Sequence, residues 1–194
     1  MAIAGIPWWT RDIGGFHGGD PDDPKSRELF VRWFQWGAFC PVMRLHGDRE
    51  PRQPQQGTTG GATCCSGAAN EVWSYGPEVY DICRKYIQVR ESLRDYTRHF
   101  MREAHEKGSP IMRPLFYEFP GDKRSWETST QYMYGNKYLV CPVLEADART
   151  LKVYLPPLED ESKWTHMNGG ETYSGGQVVK VACPLDEMPV FVRQ

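Results

Sequence analysis

The chain has 194 residues, 40% hydrophobic and 13% aromatic, enough for a buried core and too apolar for disorder throughout. Lys and Arg number 23 against 25 Asp and Glu, a net charge of -2 with no basic stripe or acidic tail, which argues against nucleic acid as a partner. No apolar run approaches the roughly 20 residues that cross a bilayer, so no membrane partner is expected.

In chain order, Ile3 to Trp9 is apolar and unbroken, turns polar at Thr10-Arg11-Asp12 and reaches Gly14-Gly15. That pattern predicts a strand buried on both faces, with Asp12 just past its C-terminal end. The stretch lacks the basic n-region of a secretory signal and reads like the middle of a fold. Asp22, Asp23 and Pro24 mark a helix start. Leu29, Phe30, Trp33, Phe34 and Gly37 then follow at helical spacing as a core-facing stripe, with the helix ending near Phe39.

Pro41 to Leu45 reads as a second short strand, followed by His46-Gly47 and a long polar loop, 53–75. From Pro77, apolar residues step by three and four from Val79 to Ala104, until Gly108 and Pro110 stop the helix. The run is long for one straight helix, which invites a break.

After Pro120 the texture changes to short strand-like runs: Tyr138 to Val143, Leu151 to Leu155, Val178 to Val181 and Val190 to Val192. Gly169-Gly170 and Gly175-Gly176 read as turns between them. The expected organisation is α/β followed by all-β. Residues 1–122 supply two β/α units, the boundary falls near Asp122 to Thr128, and 128–194 form a small antiparallel β-sandwich with no helix beyond about two turns. Two units cannot close a barrel, so they are expected to be the last quarter of a (β/α)8 barrel, which carries its site at the C-terminal strand ends.

Six cysteines stand at 40, 64, 65, 83, 141 and 183 without Cys-x-x-Cys or zinc-site spacing, so no metal site is expected and the cysteines read as buried or loop thiols.

Several segments together resemble glycoside hydrolase family 31. They are Trp8-Trp9-Thr10-Arg11-Asp12-Ile13-Gly14-Gly15-Phe16, Arg32-Trp33-Phe34-Gln35-Trp36-Gly37-Ala38-Phe39 and Arg44-Leu45-His46-Gly47. The order continues through Gly108 to Leu115, Phe119-Pro120, Gln131 to Gly135, Pro142-Val143, Val153 to Pro156 and Trp164. The Asp-Ile-Gly-Gly-Phe and Arg-Leu-His-Gly wording is most similar to the α-xylosidase branch. The resemblance implies hydrolysis of a terminal α-linked sugar with retention, through two carboxylates about 5 to 5.5 Å apart, with no cofactor.

Both carboxylates of the family lie upstream of Trp8. The chain is therefore expected to be an inactive fragment containing no catalytic residue. Asp20, although preceded by Gly18-Gly19, follows the Asp-Ile-Gly-Gly-Phe element and reads as part of the loop leading into the helix.

The resemblance assigns Asp12 and His46 to hydroxyls of the sugar in the subsite before the cleaved bond. A carboxylate accepts from two hydroxyls and an imidazole donates or accepts. Arg44 is expected to orient a carboxylate, and Trp9 to offer an indole wall to the sugar. The expected partner is an α-linked oligosaccharide or glycoside. The alternatives are an α-glucosidase of the same family and a non-catalytic carbohydrate-binding or structural remnant. The compartment is left open, with an extracellular location favoured over a cytoplasmic one.

Overall fold

The protein is described by a computed structural model covering residues 1–15, 19–46, 69–159 and 161–194. The vicinal Cys64-Cys65 and most of the expected 53–75 loop lie outside these residues.

The first helix, α1 (Pro24–Gly37), starts as its sequence predicts. Asp23 is the N-cap, its carboxylate accepting from the Ser26 N–H at 2.9 Å, and Pro24 occupies the first turn. Phe30 and Phe34 are buried, whereas Leu29 is 61% exposed, so the expected stripe is corrected at that position. The helix instead buries Val31, Arg32 and Gln35 on an adjacent face, because loops of the β-rich half pack there.

The long apolar run after Pro77 forms two helices, α2 (Pro77–Ser92) and α3 (Arg94–Lys107), broken at the buried Leu93. Two one-turn helices follow, α4 (Leu115–Glu118) and α5 (Lys123–Glu127).

The expected strand at Ile3 to Trp9 does not form. Ala2–Ala4 make a 3-10 turn instead, and Ile3, Ile6 and Trp8 are exposed. Pro7 offers no N–H to a ladder, and a doubly buried strand needs neighbours on both edges. Pro41 to Leu45 likewise stays irregular. Among the described residues, the parallel pairing here is one bridge, Ile13 with Leu45.

Among the described residues, eight strands are antiparallel: β1 (Met112–Pro114), β2 (Tyr132–Tyr134), β3 (Tyr138–Val140), β4 (Thr150–Leu155), β5 (Trp164–His166), β6 (Thr172–Tyr173), β7 (Gln177–Ala182) and β8 (Val190–Arg193). One sheet runs β1-β2-β3-β8-β5-β6, and a second pairs β4 with β7. The four strand runs expected from sequence appear as β3, β4, β7 and β8, and no helix lies among the described residues beyond Thr128. The edge strand β1 comes from upstream of Asp122.

The six-stranded sheet is buried on both faces, and its register shows how. Met133 pairs with Leu139 and Leu139 with Phe191; these three join Val153, Leu155, Trp164 and Val181 in a core against the β4-β7 pair. On the opposite face, Tyr132 pairs with Val140 and Val140 with Val190, and this side packs on α1, α2 and α3. Residues two apart share a face, so the continuous apolar wording of 138–140 reflects two cores.

Arg32 and Arg90 are among the residues that join the halves. Arg32, 7% exposed, donates to the carbonyls of Cys183 at 2.8 Å, Pro184 at 3.0 Å and Glu187 at 2.8 Å, and to Gln35 Oε1 at 3.1 Å. Arg90 on α2 donates to the carbonyls of Ala38 at 3.1 Å, Cys40 at 2.6 Å and Pro41 at 2.8 Å, and to the Tyr134 hydroxyl at 2.9 Å. The second clamp fixes the segment that leads from α1 to Arg44 and His46.

Candidate active-site face

The Ile13–Leu45 bridge sets the geometry. The Ile13 N–H donates to the Arg44 carbonyl at 3.3 Å and the His46 N–H to the Ile13 carbonyl at 3.2 Å. Ile13 is 1% exposed and turns into the helical core, where Leu45 also packs. Alternation along an extended chain then sends Asp12, Arg44 and His46 to the opposite side. Asp12 thus lies within the paired segment, one residue before the bridge, and not beyond it as the sequence predicts.

Arg44 Nη2 forms a hydrogen-bonded ion pair with Asp12 Oδ1. The Arg44 side chain is 52% exposed and that of Asp12 35%, so the carboxylate keeps an open edge for a hydroxyl donor. An ionised carboxylate has about four acceptor directions, and one guanidinium nitrogen occupies only one of them. His46 is half-buried.

Trp9 stands apart from this group. It lines an open hollow of about 610 Å³ together with Trp36, Met112, Phe116, Trp126 and Leu144, and neither Asp12, Arg44 nor His46 contributes to that lining. Its carbonyl accepts from the Val42 N–H at 3.3 Å, a second tie between the two segments. Trp8 lies in a different hollow, with Pro41, Met101 and His105. Asp20 belongs to the loop before α1, where its carboxylate accepts from the Asp22 N–H at 2.9 Å.

The residue missed in the sequence is Asn70. It is 4% exposed and reaches both segments at the bridge, yet it closes a stretch rich in Gly, Thr, Ser and Ala that reads as loop. Burial pushes the Cys40 thiol up to about 11 and the Cys83 thiol up to about 12, away from thiolate formation near neutrality.

Residues 1–99 match the family description "Glycosyl hydrolases family 31 TIM-barrel domain", and residues 108–194 match "Glycosyl hydrolase family 31 C-terminal domain". The chain belongs to glycosyl hydrolase family 31. Within that family it is 35% identical over 193 residues to an alpha-xylosidase of Saccharolobus solfataricus, covering 100% of this chain and 24% of that protein. It is 38% identical over 208 residues to alpha-xylosidase A of Aspergillus niger, covering 98% of this chain and 27% of that protein. A crystal structure of a GH31 alpha-xylosidase from a soil metagenome, complexed with xylose, superposes with a TM-score of 0.92 at 49% identity, over 100% of this chain and 29% of that one. Alpha-glucosidases and a GH31 dextranase also match, at 28% to 38% identity. The chain spans about a quarter of the length of the two curated alpha-xylosidase relatives.

Proposed function

We propose that this chain is part of a retaining α-glycosidase that releases terminal α-xylosyl residues from oligosaccharides or glycosides, and that it contributes one wall of the sugar-binding pocket. The observation that carries the site assignment is the Asp12–Arg44 ion pair at the Ile13–Leu45 bridge, where the His46 N–H also donates to the Ile13 carbonyl. In this reading the Asp12 carboxylate accepts from two sugar hydroxyls while Arg44 holds its orientation, and the His46 ring donates to or accepts from a third. Hydrogen bonds that tighten as the ring flattens toward an oxocarbenium ion lower the barrier. The nucleophile and the acid/base lie on segments outside this chain. Residues 1–122 supply barrel elements and 128–194 the adjoining sandwich. Trp9 acts by tying the two pocket segments together through Val42.

The α-xylosidases among its relatives support xylosyl specificity. The matches to α-glucosidases support a second reading, in which the pocket also admits an exocyclic hydroxymethyl group. The test has two arms. The purified 194-residue chain is expected to turn over neither an aryl α-xyloside nor an aryl α-glucoside above a buffer control; turnover abolished by Asp12→Ala or Asp20→Ala overturns the reading. When the chain is joined to the upstream barrel, the α-xyloside is expected to have the higher kcat/KM, and the opposite order selects the α-glucosidase.

A further inference from the structure

The parallel pairing at Ile13–Leu45 stops one bond early. In a parallel ladder that runs from the Ile13 N–H to the Arg44 carbonyl and from the His46 N–H to the Ile13 carbonyl, the next donor is the Gly15 N–H and the next acceptor the His46 carbonyl. Gly15 is diverted: its N–H donates instead to the Asp12 carbonyl at 2.9 Å, in a turn made by Gly14 at φ 86°. The Asn70 side chain fills the vacated place. Its Nδ2 donates to the His46 carbonyl at 2.8 Å and to the Ile13 carbonyl at 3.3 Å, so both amide hydrogens are used.

The amide can sit only one way round. The Tyr75 hydroxyl donates to Asn70 Oδ1 at 2.5 Å, and a flipped amide would set that oxygen against two carbonyls. Tyr75 is itself 3% exposed and stacks on Phe30 of α1, with centroids 3.8 Å apart and planes at 17°. Gly14 completes the arrangement, since a Cβ there would lie 2.4 Å from Asn70 Oδ1.

We propose that Asn70 is a positioning residue for the sugar-binding face, a side-chain substitute for the missing ladder bond that locks the segments carrying Asp12 and His46 in register, with Tyr75 setting its orientation. This rests on the reading of Asp12 and His46 as sugar ligands. Asn70 acts through its hydrogen bonds to the Ile13 and His46 carbonyls.

The test uses Asn70→Ala, Asn70→Asp and Tyr75→Phe. In the 194-residue chain, amide exchange at His46, read by NMR, is expected to accelerate at least about tenfold in both Asn70 variants and less in Tyr75→Phe, with the amides of the β4-β7 pair unchanged. Joined to the upstream barrel, the Asn70 variants are expected to lose at least about tenfold in kcat/KM for an aryl α-xyloside, mostly in kcat. A folded Asn70 variant with unchanged His46 exchange, or with kcat/KM within twofold of the parent, overturns the proposal. Where the Asn70 variants do not fold, Tyr75→Phe decides: faster His46 exchange supports the proposal and unchanged exchange overturns it. Asp12→Ala and His46→Ala measured alongside separate the two readings. If both retain kcat/KM within threefold, the sugar-ligand assignment fails, while the exchange result still judges the Asn70 bridge.

Discussion

Gly37 at the C-terminal end of α1 touches Ile13 so closely that a Cβ on the glycine would lie 2.4 Å from Ile13 Cδ1. The helix therefore seats the segment that carries Asp12. Gly37→Ala is expected to destabilise the chain by about 1–3 kcal/mol, since Ile13 is fully buried and cannot move aside without strain. Urea denaturation measures this, and a midpoint equal to the parent's would show that Ile13 has room to yield.

Arg32 ties α1 to carbonyls 151 to 155 residues away in the sequence. Arg32→Met leaves the carbonyls of Cys183, Pro184 and Glu187 without that donor in a buried or part-buried setting. The expected loss is about 3 kcal/mol or more. The helical half and the sandwich are then expected to unfold in separate steps, seen as non-coincident transitions by circular dichroism and tryptophan fluorescence. A single transition with unchanged midpoint would refute the clamp.

Glu28 gives the interface a pH dependence. Arg149 Nη1 donates to Glu28 Oε1 at 2.6 Å, and this hydrogen bond holds the Glu28 carboxyl below the ordinary glutamate range. The folded value lies below the unfolded one, so the contribution is present above the ordinary glutamate range and is lost as pH falls through the lowered folded value. The Tm difference between the parent and Glu28→Gln is therefore expected at neutral pH and to shrink on acidification. A difference independent of pH would assign the effect to packing.

Asp12, His46 and Arg44 are separable by experiment. With the upstream barrel attached, Asp12→Ala or His46→Ala is expected to lower kcat/KM about a hundredfold or more, roughly 3 kcal/mol of transition-state hydrogen bonding. Arg44→Ala is expected to cost less in rate and to leave Tm nearly unchanged, because an ion pair this exposed adds about 0–1 kcal/mol to stability. A Tm collapse in Arg44→Ala would make it a folding residue.

Arg11 points the other way from Asp12. Its guanidinium lies over the Trp36 ring with Nη2 at 3.4 Å from Cys40 Sγ, while Nε and Nη1 are buried without a hydrogen-bond partner among the described residues. Burial holds its pKa down to about 10. Arg11→Met is expected to stabilise this chain by about 1 kcal/mol or more, since it removes a poorly compensated buried charge at similar volume. Thermal unfolding of the two proteins compares them directly, and a lower Tm in Arg11→Met would reveal a net favourable role for the stacked cation.

The amino-acid sequence by itself determined what depends on near neighbours. Asp23-Pro24 starts α1, the three-and-four stepping from Val79 lays down α2 and α3, and the strands β3, β4, β7 and β8 follow from their apolar runs and glycine turns. Its motifs also pointed to the family and to Asp12, Arg44 and His46. Tertiary structure decided what depends on partners. Whether Ile3 to Trp9 becomes a strand depends on edges that can accept its backbone groups, and Pro7 withholds one donor. Leu29 is exposed while Arg32 and Gln35 are buried because loops 150 residues away, and not the helix's own periodicity, choose the face that α1 presents. Asn70 lies among residues with the composition of a loop; only the fold sets its amide against two carbonyls 24 and 57 residues away, where a diverted glycine N–H leaves an acceptor to satisfy.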